Sequence, residues 1–142
     1  GSEEVALALR DLLEKDGWEI ISVSTVPSDF DRIKGEIVRC SYDLGSALVL
    51  TTGGTGCSRY DVTPEATEAV INRLVPGIPE AMRFANNVRT PLAALSRGIA
   101  GLRGSTLIVN LPGSSGGAVT SLSAVLPALK QGVESLRRRQ SR

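Results

Sequence analysis

Leu48-Val49-Leu50-Thr51-Thr52-Gly53-Gly54-Thr55-Gly56, followed closely by Asp61-Val62-Thr63-Pro64-Glu65, decides the fold of this chain. An apolar, β-branched run stops at Gly-Gly-Thr-Gly. A helix start comes next, with a hydroxyl residue at Thr63 as N-cap, Pro64 at the first helical position and Glu65 in the first turn. A strand ending in a glycine loop that leads into a helix is where an open α/β sheet places backbone N–H groups toward a phosphorylated ligand. The stretch is not one of the two common phosphate fingerprints. It has no G-x-G-x-x-G spacing, and no Lys-Ser/Thr pair follows as a P-loop requires.

Outward from that stretch, helical and strand patterns alternate. Val5, Leu9, Leu12 and Leu13 predict an amphipathic helix over residues 3–15, ended by Gly17. Trp18 to Val26 is rich in β-branched residues and reads as a strand stopped by Pro27. Ser28 or Asp29 can cap a helix that runs to about residue 40, with Phe30, Ile33 and Ile37 on one face. The helix opened at Thr63 is expected to reach Leu74. Pro76-Gly77 breaks the chain, and Ile78 to Asn86 reads as another helix. Thr90 to Gly104 fits a short helix followed by irregular or extended chain around Arg97–Leu102. Thr106 to Asn110 is a second buried strand, followed by Leu111-Pro112-Gly113-Ser114-Ser115-Gly116-Gly117. A last helix is expected over Ala118–Arg137. The alternation predicts an α/β fold: a three-layer, doubly wound, mostly parallel sheet covered on both faces.

Composition narrows the chemistry. The chain has 142 residues, 42% of them hydrophobic, and a formal net charge of +1, which suits one globular domain and gives nucleic acid no electrostatic footprint. Arg137, Arg138, Arg139 and Arg142 make a basic tail, placed as cations favour a helix C-terminus. Histidine is absent, so acid–base or metal chemistry must rest on carboxylates. Cys40 and Cys57 form no metal spacing and no disulfide framework, and they read as reduced thiols of a cytosolic protein, Cys40 near a helix end. No run is long enough for a membrane span.

The chemistry concentrates in the two glycine loops. In a doubly wound sheet, strand C-termini share one edge, so Thr51–Thr63 and Asn110–Ala118 can face one crevice. The first loop offers consecutive amides and the hydroxyls of Thr52 and Thr55, suited to phosphate oxygens. The second offers Ser114 and Ser115 among glycines, where a flat ring can approach the backbone. Asp61, beside the first loop, can hold Mg²⁺ on a polyphosphate. It can equally cap the helix or bond its own loop amides, and both readings stand on the residues alone.

Five ordered blocks resemble one family: Leu50–Gly56; Arg59–Thr67, with a departure at Tyr60; Pro76-Gly77 through Ala81-Met82-Arg83; Leu95-Ser96-Arg97 through Gly101 and Gly104; and Thr106–Ser114. With Val26-Pro27 before an acidic helix, the likeness covers about Glu3 to Leu136. The family is that of the molybdopterin adenylyltransferases, which includes the MogA-like bacterial enzymes and the gephyrin G domain. The resemblance implies adenylyl transfer from Mg-ATP to the terminal phosphate of molybdopterin, with release of pyrophosphate. By position, it implies that Thr52, Gly53, Gly54, Thr55 and Gly56 bind nucleotide phosphates and that Asp61 positions the metal. Ser96, Arg97, Pro112, Gly113 and Ser114 would line the pterin side, with Arg59 and Arg97 as further phosphate cations. It also implies a cytoplasmic homotrimer, with a molybdate-insertion protein as a candidate partner.

Two departures qualify the likeness. Where the family has Val-Pro-Asp with a functional aspartate, this chain has Ser28, and Asp29 comes one residue later as a candidate catalytic substitute. The family also opens with a strand and a Ser-Asp loop. Gly1 to Leu13 resembles its first helix directly, so the expectation is a single domain over 1–142 without that first strand. These departures motivate a second reading, a non-catalytic module that holds pterin or adenylate or serves as a scaffold.

Overall fold

The computed structural model describes residues 2–138. Five helices and four strands form the frame: α1 (Ser2–Lys15), α2 (Phe30–Val38), β1 (Leu48–Thr52), α3 (Thr63–Glu68), β2 (Arg73–Leu74), α4 (Gly77–Asn87), β3 (Ala100–Arg103), β4 (Thr106–Leu111) and α5 (Ser115–Arg138). A π-helical turn over Arg39–Asp43 continues α2, and a 3₁₀ helix over Pro91–Leu95 follows α4.

β4 is the centre. All six of its residues are buried, and their alternation divides the core into two layers. Leu107, Val109 and Leu111 face the larger cluster, with Val5 and Leu9 of α1, Ile78 and Met82 of α4, and Leu122, Val125 and Leu129 of α5. Ile108 points the other way, onto Ile37 of α2 and Val70 just beyond α3. Helices therefore cover both faces, as the three-layer α/β expectation requires. The sheet order is β1-β4-β3-β2. Within it the pairing is mixed: β1–β4 is parallel, while β4–β3 and β3–β2 are antiparallel. The Arg103–Thr106 connection is too short for a crossover, so β3 must return alongside β4 as a hairpin.

Two elements differ from expectation. Trp18–Val26 forms no strand; Ile21 is 54% exposed and Val23 58% exposed. β-branched residues favour a strand only when a neighbouring ladder satisfies their backbone, and no described strand pairs with this segment. The helix from Thr63 ends at Glu68 instead of Leu74. Val70 and Ile71 turn into the second core beside Ile108, and Arg73–Leu74 pairs with β3, so tertiary packing overrides the local helical pattern. Its cap also shifts by one: Val62 is the N-cap residue and makes no side-chain capping bond.

Asp29 is the N-cap of α2, its carboxylate accepting from Arg32 N at 2.9 Å. Cys40, half-buried, and Cys57, exposed, are both free thiols. Arg137 and Arg138 lie in the last turn of α5, whereas Arg139 and Arg142 lie outside the described residues. No helix among the described residues is long and apolar enough to cross a membrane.

Candidate functional site

Because β1 and β4 are parallel neighbours in register, Thr52 opposite Leu111, both glycine loops leave the sheet at one edge. The ladder continues one step beyond, with Gly53 N donating to Leu111 O at 3.0 Å. The loops then touch: a methyl group at Gly113 would lie 3.1 Å from Gly53 Cα, closer than most packed backbones tolerate. Gly53 and Gly54 both have positive φ, 86° and 69°, the left-handed region that glycine enters without strain. Thr63 N closes the first loop by donating to Gly54 O at 3.2 Å.

Arg97 fastens this loop from outside it. Its Nε donates to Gly56 O at 2.7 Å, its Nη2 to Asp61 O at 2.6 Å, and its Nη1 to Glu65 Oε2 at 2.6 Å. The Arg97 guanidinium in turn holds the Glu65 carboxyl below its usual range, mainly through that hydrogen bond. Arg97 N also donates to Thr55 O at 2.8 Å. The Asp61 carboxylate accepts from Ser58 N at 3.0 Å, so one of its oxygens braces its own loop. Arg59 lies outside this network, stacked over the Tyr60 ring at 5.0 Å and exposed.

A cavity of about 370 Å³ opens beside the loops. Of the residues singled out by sequence, Thr55, Gly56, Ser96, Pro112 and Ser114 line it. Thr52, Gly53, Gly54, Asp61, Arg97 and Gly113 do not line it. Asp29 is exposed at the head of α2 and does not line the cavity. Ser114 also serves the helix that follows, its Oγ accepting from Gly117 N at 3.1 Å to cap α5.

Sequence reasoning missed the polar floor of this cavity. Asn110, only 1% exposed, donates to Thr51 Oγ1 and to Thr67 Oγ1, each at 3.0 Å, and accepts from Ile99 N at 3.1 Å. It ties β1, α3 and the approach to β3 together. Asn86 and Ser121, also buried, bond each other where α4 crosses α5. The available signal was a polar residue inside an otherwise apolar face, since such a group is buried only with partners.

The family model described as "Probable molybdopterin binding domain" matches residues 3–131. The chain belongs to this molybdopterin binding domain family. Among relatives of this domain, the molybdopterin adenylyltransferase of Helicobacter pylori is 41% identical over 104 residues, covering 73% of this chain and 59% of that protein. Gephyrin of Dictyostelium discoideum is 40% identical over 138 residues, covering 94% of this chain but 19% of that protein. The chain thus spans less than two thirds of the length of either relative. The solved structure of the molybdopterin biosynthesis enzyme MoaB from Thermus thermophilus superposes with a TM-score of 0.88 at 45% identity, covering 93% of this chain and 83% of that one. The three-layer fold is the one this domain shares with that structure.

Proposed function

We propose that this domain is a molybdopterin adenylyltransferase of molybdenum cofactor biosynthesis, moving AMP from Mg-ATP to the terminal phosphate of molybdopterin and releasing pyrophosphate. The observation that carries the reading is the contact of the two glycine loops at Gly53 and Gly113, beside one cavity that both loops line through Thr55, Gly56, Pro112 and Ser114. Two ligands held one on each loop would meet there. The attacking phosphate is already anionic, so no general base is needed and the absence of histidine is no obstacle. What the chain must supply is alignment and charge neutralisation. In this reading Thr52 and the amides of Gly53, Gly54, Thr55 and Gly56 hold nucleotide phosphates, and Ser96, Arg97, Pro112, Gly113 and Ser114 form the pterin side. Among the described residues no cluster of three metal-ligating side chains exists. In this reading Mg²⁺ would be carried largely by nucleotide phosphates and anchored by one carboxylate, Asp61. When bound, the ion would neutralise charge on those phosphates. Asp61 sits in the first glycine loop, whereas Asp29 caps α2, so Asp61 is the leading catalytic carboxylate in this reading and Asp29 the secondary one.

The exposed apolar side chains of Phe84 and Val88, one turn apart at the end of α4, and of Leu92 and Leu95 just beyond support a homo-oligomeric assembly, which in this reading is a trimer. A cytoplasmic location and delivery to a molybdate-insertion protein complete the proposal. The rival, a binder or scaffold without turnover, is favoured by one observation, the Asp61 oxygen already occupied by Ser58 N. Single-turnover mixing of Mg-ATP and molybdopterin separates the two. Pyrophosphate released in step with adenylated pterin is expected; tight binding without pyrophosphate would establish the scaffold reading instead.

A further inference from the structure

The cavity wall contains two arginines, Arg83 and Arg89, and no acidic residue. Arg83 is turned to structure, its Nη1 donating to Ser96 O at 3.3 Å and Gly98 O at 3.1 Å. Arg89 is not. Its Nη1 donates to Asn86 Oδ1 at 3.1 Å, and Asn86 is itself immobilised. The Asn86 amide nitrogen donates to Met82 O at 3.1 Å, Gly117 O at 3.3 Å and Ser121 Oγ at 2.7 Å. Asn86 is 5% exposed, so the orientation of its single acceptor is set by buried partners, and that acceptor aims the guanidinium.

The seat of Arg89 is also built from the other side. A methyl group at Gly116 would lie 2.2 Å from Arg89 Nη2 and 3.0 Å from Cζ, so the guanidinium keeps this position only while residue 116 carries no side chain, and a larger residue there would push it aside. Among the described residues Arg89 makes no ion pair. It is exposed, so solvent and a ligand in the cavity can reach its guanidinium. Its cation rests against the first turn of α5, where the helix already presents positive charge and where an acidic residue is the stabilising choice. An anion in the cavity would relieve that repulsion. A planar guanidinium fork suits phosphate oxygens in particular.

We propose that Arg89, oriented by Asn86 and seated on Gly116, determines the specificity of the cavity by binding the phosphate monoester of the pterin substrate. This deepens the adenylyltransferase reading and rests on it for the identity of the ligand. Asn86 acts as a positioning residue.

The test titrates molybdopterin, and the same pterin lacking its phosphate, into the wild-type domain, Arg89→Gln and Arg89→Lys, with a thermal melt of each variant. Arg89→Gln is expected to weaken the phosphorylated pterin at least tenfold and to leave the dephosphorylated one within twofold, with Arg89→Lys intermediate. Gly116→Val, which displaces the guanidinium while keeping the arginine, is expected to reproduce the Gln result. Equal losses for both pterins, or no loss, would overturn the proposal while leaving the adenylyltransferase reading intact. If the wild type binds neither pterin, that reading fails. Titration with inorganic phosphate, followed by the Arg89 Nε–Hε resonance, then decides the anion site alone. A saturable shift that Gly116→Val abolishes supports it, and an unmoved resonance overturns it.

Discussion

Arg97 Nη2 donates to the main-chain oxygen of Asp61 at 2.6 Å, across 36 residues of sequence. The same guanidinium holds Gly56 O and Glu65, so the position of the Asp61 carboxylate is inherited from an arginine outside the loop that carries it. Planarity matters here. One rigid fork meets three acceptors that a flexible ammonium cannot reach together.

Arg97→Lys is therefore expected to lower the denaturant midpoint measurably, because an ammonium leaves at least one of the three acceptors without its donor. Hydrogen exchange should rise across residues 53–63 while β4 stays protected. Denaturant melts with amide exchange check both; uniform exchange across the domain would mean that Arg97 is not specific to the loop.

Asp61→Asn keeps an oxygen that can accept from Ser58 N, so its effect on stability should stay within about 1 kcal/mol. It removes the charge proposed to anchor Mg²⁺, so pyrophosphate release should be lost. A large drop in Tm with turnover retained would assign Asp61 to loop bracing only.

Ser114→Phe places a ring at the cavity wall and removes the cap on Gly117 N. The lost cap should cost about 1 kcal/mol of stability. Molybdopterin affinity should fall at least tenfold, about 1.4 kcal/mol, while ATP binds nearly as before. Calorimetry with each ligand measures both; the opposite pattern would exchange the roles of the two loops.

The Glu36 carboxyl is held down at about 2, first by its hydrogen bonds to Arg39 and then by Ser24 Oγ. A carboxyl depressed in the folded state stabilises it above the unfolded value near 4.5, and that contribution is lost as pH falls toward about 2. Solvent reaches this carboxyl, so screening reduces the expected effect to about 1 kcal/mol. Stability measured from pH 5 to 2 should decline less steeply in Glu36→Gln than in the wild type, and parallel curves would exclude Glu36 as the cause.

Much of the domain is determined locally and was legible in the chain itself. The decisive signals were the glycine-ended segments Leu48–Gly56 and Thr106–Gly113, because an apolar β-branched run, fully buried in β4, and a turn through positive φ at Gly53 and Gly54 leave few alternatives. Asp29 as a cap and the amphipathic α1 follow from the same short-range rules. Tertiary structure decided the rest. Whether Trp18–Val26 becomes a strand depends on a partner ladder, and whether Ile71–Leu74 stays helical depends on the competing claim of β3. The convergence of Arg97 on Asp61, and of Asn86 on Arg89, joins residues by their side-chain reach in three dimensions. Spacing along a chain records the period of a helix or strand, but not which distant carbonyl a guanidinium will find.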